Sequence, residues 1–215
     1  MSSRSPSTSP PSRIPVKQHV LLAIDVESRG ENMITHGIVS IGWCVGCADE
    51  FHVIERGRVS LKPLPGQTFE RRCIDEFWSK YKDQLHMLQK EAVDADRGMS
   101  EFRQKMQEYD RNYRVTIVSD NPAFDIGIVN YYLNYHGYPW LQYTFDDDRR
   151  YRSIYCAEGF ARGAVGLRYE TSPFTNKKKC VQRLGSKLVS GVTHSPDDDA
   201  RAVYEFHIKC LRAFD

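Results

Sequence analysis

The sequence predicts an α/β domain in which a mixed five-stranded sheet is flanked by helices. Two short apolar runs, Val20 to Ile24 and Val115 to Val118, lack the polar alternation of a half-exposed strand, so we expect strands buried on both faces. Residues 72–112 instead repeat aromatic and apolar side chains at helical spacing. The length of 215 residues suits one domain with a substantial core.

The first three strands are expected to form an antiparallel meander. The opening run is followed by a turn-rich loop, a second strand over Ile38 to Val45 and a third over Phe51 to Leu61. The short connection between the last two carries Gly46 and polar residues, as a hairpin does.

The remaining elements alternate between helix and strand. Residues 72–112 are expected to be interrupted near Arg97-Gly98, where a helix former is missing. A helix over about Pro122 to Tyr135, a fifth strand over Tyr151 to Cys156 and a last helix beginning at Ser195 or Pro196 follow. Proline fits the first position of a helix, which supports that last boundary.

Composition limits the classes of protein that the chain can represent. The formal net charge is +2, from 30 basic and 28 acidic residues, and 40% of residues are hydrophobic, which favours a globular protein. Residues 1–17 are rich in serine and proline and predict a disordered tail, followed by one domain over 18–215. No apolar run reaches the roughly 18 residues of a membrane span.

Cysteine usage favours a reducing compartment. The six cysteines are irregularly spaced and no secretory leader is apparent, so we expect an intracellular protein, cytoplasmic or nuclear. The C-x-x-C pair Cys44 and Cys47 closes a strand and has no second pair at zinc-site spacing, which favours chance placement.

Several carboxylate residues lie where predicted strands end or predicted helices begin. Asp25 and Glu27 are two residues apart at the end of the first strand, so both point to one face. Such like charges repel unless a cation joins them. Asp125 is expected in the first turn of its helix, His194 just before the last helix and Asp199 in its second turn.

These three motifs together resemble the DEDDh 3′-to-5′ exonucleases, which have a ribonuclease-H-like fold. Asp25 to Gly30 is similar to D-x-E-T-T-G, Asp120 to Gly127 to H-N-x-x-F-D-I-G, and His194 to Ala200 to H-x4-D-A. The Glu76-Phe77-Trp78 region further resembles one branch of that family, which contains phage exonucleases and a mycobacterial-type exoribonuclease. The chain departs from the pattern at Asp120, in place of histidine, and at Ser28-Arg29, in place of threonines.

The resemblance implies phosphodiester hydrolysis at two Mg²⁺ ions, for which Mn²⁺ is expected to substitute. Asp25 would bridge the ions, Glu27 and Asp199 would complete one, and Asp125 would hold a water ligand. His194, in a loop that leaves it free to move, would take the proton from the attacking water. Asp120 would add an outer acid.

The resemblance also implies a single-stranded RNA or DNA 3′ end as the partner, with RNA slightly favoured and no membrane. A DNA proofreading or repair nuclease and an inactive nucleic-acid-binding module stay open as alternatives, as does a homodimer. The basic residues between Arg162 and Lys187 suit a track for upstream phosphates or a solvated surface. The candidate substrate contacts are Val26, Ser28, Arg29, Asn121, Phe124, Lys177, Lys178 and Lys179.

Overall fold

The computed structural model describes residues 16–146, 149–164 and 193–212. Its sheet contains five strands, which are β1 (His19–Ser28), β2 (Ile38–Cys47), β3 (Val53–Ser60), β4 (Arg114–Ser119) and β5 (Ile154–Cys156). Their order across the sheet is β3-β2-β1-β4-β5. The first three are antiparallel, while β4 runs parallel to both β1 and β5. The predicted fold class is therefore confirmed.

Helices cover the sheet and follow its strands in the chain. A π-helical turn (Cys73–Phe77) and a 3₁₀ turn (Trp78–Lys80) lead into the first regular helix. Within the described residues the regular helices are α1 (Lys82–Glu91), α2 (Ala95–Asn112), α3 (Asp125–Tyr135), α4 (Ala157–Ala164) and α5 (Pro196–Leu211). Helix α4 was not predicted from the sequence.

The central strand β1 is buried on both faces, and alternate residues enter different cores. Leu22 and its even-numbered neighbours pack with side chains of α2 and α3. Leu21 and Ala23 pack with side chains of α4 and α5. Because side chains alternate along a strand, Asp25 and Glu27 continue the row that faces α5.

The first turn of α5 lies directly against β2. Gly42 pairs with Asp25 across the sheet, and a Cβ at Gly42 would lie 2.0 Å from the carbonyl carbon of Pro196. Arg58 of β3 secures the same turn, since its guanidinium donates to Asp197 at 3.0 Å. The missing side chain at position 42 therefore allows α5 to begin beside the carboxylates of β1.

The predicted helix break near Arg97-Gly98 is wrong. Helix α2 runs through Gly98, where an added Cβ would lie 2.2 Å from Leu61 Cδ2. The glycine is there for close packing against β3. The chain breaks earlier instead, because extended Val93 bonds to the edge of the sheet through Ser60 O and Lys62 N.

Other boundaries, and the position of Asp199, also differ from the prediction. The third strand is shorter at both ends, and the fifth begins at Ile154, since Tyr151 forms only an isolated bridge to Tyr143. The third helix begins at Asp125, because Pro122 belongs to a preceding turn. Asp199 lies in the first turn of α5 and not in the second.

Some predictions fall outside the described residues. These are the tail up to residue 15 and the basic segment over 165–187, with Lys177, Lys178 and Lys179. Cys44 and Cys47 are free thiols buried in β2. None of the helices in the described ranges combines the length and the apolar character needed to cross a bilayer.

Candidate active site

Six ionisable side chains gather at the end of β1 in two groups. The carboxylate cluster consists of Asp25, Asp120 and Asp125, and the histidine cluster of Glu27, His194 and Asp199. Within each cluster one ligand-type atom from every residue lies within 4.8 Å of the others. The structure thus brings together all five residues predicted to be catalytic, and it places Asp120, the expected outer acid, beside Asp25 and Asp125.

The carboxylate cluster is built where β1 and β4 end. Ser119 closes β4, and its hydroxyl donates to Asp125 Oδ2 at 2.5 Å. The same hydroxyl accepts from the Asn121 backbone N–H at 3.1 Å, which shapes the turn into α3. Asp125 is the first residue of that helix and is buried. The helix dipole favours a carboxylate there.

Burial and the neighbouring carboxylates both oppose the ionisation of Asp25. Burial is the largest cause of its raised pKa, followed by the charges of Asp125, Glu27, Asp199 and Asp120. A divalent cation would reverse this balance, because it stabilises the ionised form of its ligands. The oxygen-only donor set fits a hard ion such as Mg²⁺ or Mn²⁺.

The histidine cluster depends on a tight turn before α5. Asp199 accepts the backbone N–H groups of Thr193 and His194, each at 2.8 Å. His194 has φ of 56°, in the left-handed region that histidine adopts more readily than most residues. This turn presents the imidazole to β1, where Nδ1 lies 3.4 Å from Glu27 Oε1.

Burial and hydrogen bonding shift the pKa values of Glu27 and His194 in opposite directions. The pKa of His194 is raised, chiefly by its hydrogen bond to Glu27. The pKa of Glu27 is also raised, because burial outweighs the opposing effect of His194. Burial likewise raises the pKa of Asp199. A histidine beside a buried carboxylate is suited to proton transfer near neutral pH.

Two aromatic rings pack against the imidazole. The Tyr81 ring centroid lies 4.0 Å from that of His194, and the Phe77 centroid lies 4.7 Å away, nearly perpendicular. The loop was expected to leave His194 free to move, whereas the structure holds the ring between Glu27 and these aromatics. Sequence reasoning missed Tyr81 as a neighbour, because contacts between such distant segments leave no local pattern.

The residues predicted to contact the substrate differ in whether their polar groups are available to a ligand. The Arg29 guanidinium is buried and donates to the backbone oxygens of Ile38 and Leu61, and its own backbone is bonded to Gly37 and Glu70. These contacts give Arg29 a structural role, and the prediction of a substrate contact there is not retained.

The other described contacts lie around the carboxylates. Val26 is a buried residue of β1, and the Ser28 hydroxyl donates to Gly30 O at 3.0 Å. Asn121 is exposed and Phe124 is half-buried beside the carboxylate cluster. The last two therefore have surface available for a ligand.

The sequence matches no family model and no curated protein significantly. Solved structures do match. A product-bound exonuclease I is 13% identical with a TM-score of 0.64 over 93% of this chain, which spans only 46% of that protein. The nuclease domain of 3′hExo, a DEDDh family member bound to rAMP, is 12% identical with a TM-score of 0.61, covering 91% of this chain and 92% of that one.

A third structure describes recognition of the 3′ end of a histone mRNA stem-loop by a 3′-exonuclease. It is 13% identical with a TM-score of 0.58, covering 91% of this chain and 83% of that one. At such low identity the likeness establishes the fold alone. The chain therefore has the ribonuclease-H-like fold found in these exonucleases.

Proposed function

We propose that the chain is a metal-dependent 3′-to-5′ exonuclease that hydrolyses phosphodiester bonds at single-stranded nucleic acid ends. The observation that carries this proposal is the convergence of Asp25, Glu27, Asp125, Asp199 and His194 at the end of the central strand. The exonuclease folds that resemble this chain support it independently.

The four carboxylates would hold two divalent ions, Mg²⁺ with Mn²⁺ as a substitute. Bound ions at such a site neutralise charge on the phosphate and lower the pKa of water. The donor set fits them, since Asp25 is surrounded by carboxylates that oppose its ionisation without a cation. Asp120 adds negative charge to the same cluster.

His194 would act as the general base toward the attacking water. Its Nδ1 faces Glu27 at 3.4 Å, so Nε2 is the ring nitrogen that would accept the proton. Asp199 fixes the turn that carries the imidazole. A positioned base typically contributes about 10²–10⁴-fold to rate.

The terminal nucleotide would be held near Val26, Ser28, Asn121 and Phe124, with Lys177, Lys178 and Lys179 on upstream phosphates. RNA is slightly favoured as substrate. A DNA-directed role is the second candidate, because an E. coli exonuclease I of similar fold was solved with a dT13 oligonucleotide. The comparisons give no support for a homodimer.

The deciding experiment uses matched single-stranded RNA and DNA oligonucleotides, labelled at either end, with Mg²⁺ or Mn²⁺. We expect mononucleotides to leave from the 3′ end in a metal-dependent reaction. His194→Ala should lower kcat by about 10²–10⁴-fold and change KM little, because the imidazole acts on the attacking water. His86→Ala, at an exposed position of α1, is the control.

Two results would overturn the proposal. Binding of the oligonucleotides without shortening would indicate an inactive binding module. Shortening that His194→Ala leaves at the wild-type rate would place the chemistry elsewhere in the protein.

A further inference from the structure

The segment Phe77 to Tyr81, called the aromatic segment here, is anchored to the strand that carries the candidate site. Trp78 is 1% exposed, and its indole N–H donates to the backbone oxygen of Ser28 at 3.0 Å. Ser28 directly follows Glu27 on β1. The aromatic segment is therefore fixed relative to the Glu27 carboxylate.

The backbone of this segment turns two rings to the same side. The chain changes from a π-helical to a 3₁₀ turn between Phe77 and Trp78, and α1 begins after Tyr81. Trp78 points into a core cluster. The rings of Phe77 and Tyr81 lie with their centroids 5.2 Å apart and are only partly buried.

The imidazole of His194 lies between these rings and Glu27. Its centroid is 4.0 Å from Tyr81 and 4.7 Å from Phe77, and its side chain is 18% exposed. The backbone turn determines where the His194 side chain begins but not which rotamer it takes. Rings at these distances are in contact with the imidazole, so they can restrict its orientation.

We propose that Phe77 and Tyr81 are positioning residues that hold the His194 ring in its orientation toward Glu27. The inference rests on the proposed function, in which His194 accepts a proton. Aromatic rings in this position hold the orientation of the imidazole without taking part in the proton transfer. Displacing a reacting group by about 1 Å can lower a rate by roughly 10²-fold.

The kinetic test compares Tyr81→Leu and Phe77→Leu with Tyr81→Phe, which keeps the ring. We expect the leucine variants to lower kcat by about 10- to 100-fold with KM within about threefold, and Tyr81→Phe to stay near wild type. The matched control is Tyr135→Leu, which removes a 53% exposed ring that contacts a different histidine, His136, at 5.2 Å.

Other kinetic outcomes overturn the inference. A raised KM with unchanged kcat in Tyr81→Leu would mean that the rings bind a nucleobase instead. A loss of kcat in Tyr81→Phe as large as in Tyr81→Leu would assign the effect to the hydroxyl. Unchanged kinetics in both leucine variants would show that the rings do not set the position of the base.

A second readout needs no turnover. The NMR signals of the His194 ring protons can be assigned in the metal-free protein by their absence in His194→Gln. Their chemical shifts should change in Tyr81→Leu and Phe77→Leu. They should stay at the wild-type values in Tyr135→Leu. Unshifted signals in folded leucine variants would overturn the contact. If wild-type protein cleaved no oligonucleotide, the proposed function would fail, while the spectra would still decide how the ring is held.

Discussion

The carboxylate cluster and the histidine cluster begin on the same strand, two residues apart, but balance their charge differently. Burial and four neighbouring carboxylates raise the pKa of Asp25. Burial also raises the pKa of Glu27, but the hydrogen bond with His194 lowers it. A cation would therefore favour the ionised form of Asp25, whereas the histidine cluster carries part of its own compensation.

The two clusters also differ in how they are held in place. Asp25 lies on β1, and Asp125 follows β4, which pairs with β1 in the sheet. The Ser119 hydroxyl donates a hydrogen bond to Asp125. His194 and Asp199 come from the start of α5, which reaches β1 only because Gly42 has no side chain. A substitution can therefore affect one cluster and spare the other.

The largest effect is expected for Asp25→Asn, which removes a carboxylate whose pKa responds to the acids of both clusters. Metal stabilisation worth several kcal/mol corresponds to a loss of roughly 10³-fold or more in kcat/KM. Calorimetry should show weakened Mn²⁺ binding. The metal-free variant should unfold at or above the wild-type Tm, because a half-buried carboxylate that neighbouring acids repel is replaced by a neutral amide.

The control for this change is Asp83→Asn, at an exposed position of α1, which should match wild type in every assay. Retention of Mg²⁺-dependent cleavage within tenfold by Asp25→Asn would contradict a metal role for the carboxylate cluster.

Gly42→Ala should disturb the histidine cluster and spare the carboxylate cluster. The new Cβ would meet the backbone of Pro196, and overpacking of this kind costs about 1–3 kcal/mol in the free energy of unfolding. We expect a lower Tm, a lower kcat and retained Mn²⁺ binding at one site.

Gly163→Ala in α4 is the matched control, because a Cβ there meets nothing within 4 Å. It should leave stability unchanged or slightly raised. A Gly42→Ala protein with wild-type Tm and turnover would show that the start of α5 can shift without consequence.

The next effect concerns pH in the absence of metal. The pKa values of Asp25, Glu27, Asp199 and His194 are all raised in the folded protein. A raised pKa stabilises the fold while the group is protonated, and that contribution is lost as pH rises through the folded-state value. These four groups therefore favour a higher metal-free Tm at pH 6 than at pH 8, whereas the lowered pKa values of His19 and His207 act in the opposite direction.

The two clusters can be separated in this measurement. Asp25→Asn should reduce the pH dependence that comes from the carboxylate cluster, and His194→Gln the part that comes from the histidine. Saturating Mg²⁺ should oppose the loss of stability at pH 8, since it binds the ionised carboxylates. A pH dependence of Tm that both variants leave the same as in the wild-type protein would contradict these shifts.

The sequence predicted the sites of ionisable residues better than the contacts between distant segments. Asp25 and Glu27 could be placed on one face because strand periodicity is local. The role of Gly98 could not be predicted, since it depends on Leu61 of a different element. The packing of Tyr81 on His194 was missed for the same reason, because only the folded chain brings those segments together.

The smallest effect is expected at Asp120, where the resembling family has histidine. Its side chain lies with Asp25 and Asp125, while its backbone oxygen accepts from Cys156 Sγ at 3.5 Å, so substitution should leave the turn intact. An outer group of this kind typically contributes about 10-fold to metal affinity or rate.

We therefore expect Asp120→Asn to weaken Mn²⁺ binding by about 10-fold, and Asp125→Asn to weaken it much more. Asp120→His should retain turnover, because the imidazole removes one of the negative charges that oppose ionisation of Asp25. Asp49→Asn, at an exposed position, is the control. Equal losses in Asp120→Asn and Asp125→Asn would instead make Asp120 a direct ligand, and the carboxylate cluster would then supply three of the protein's own oxygens to one ion.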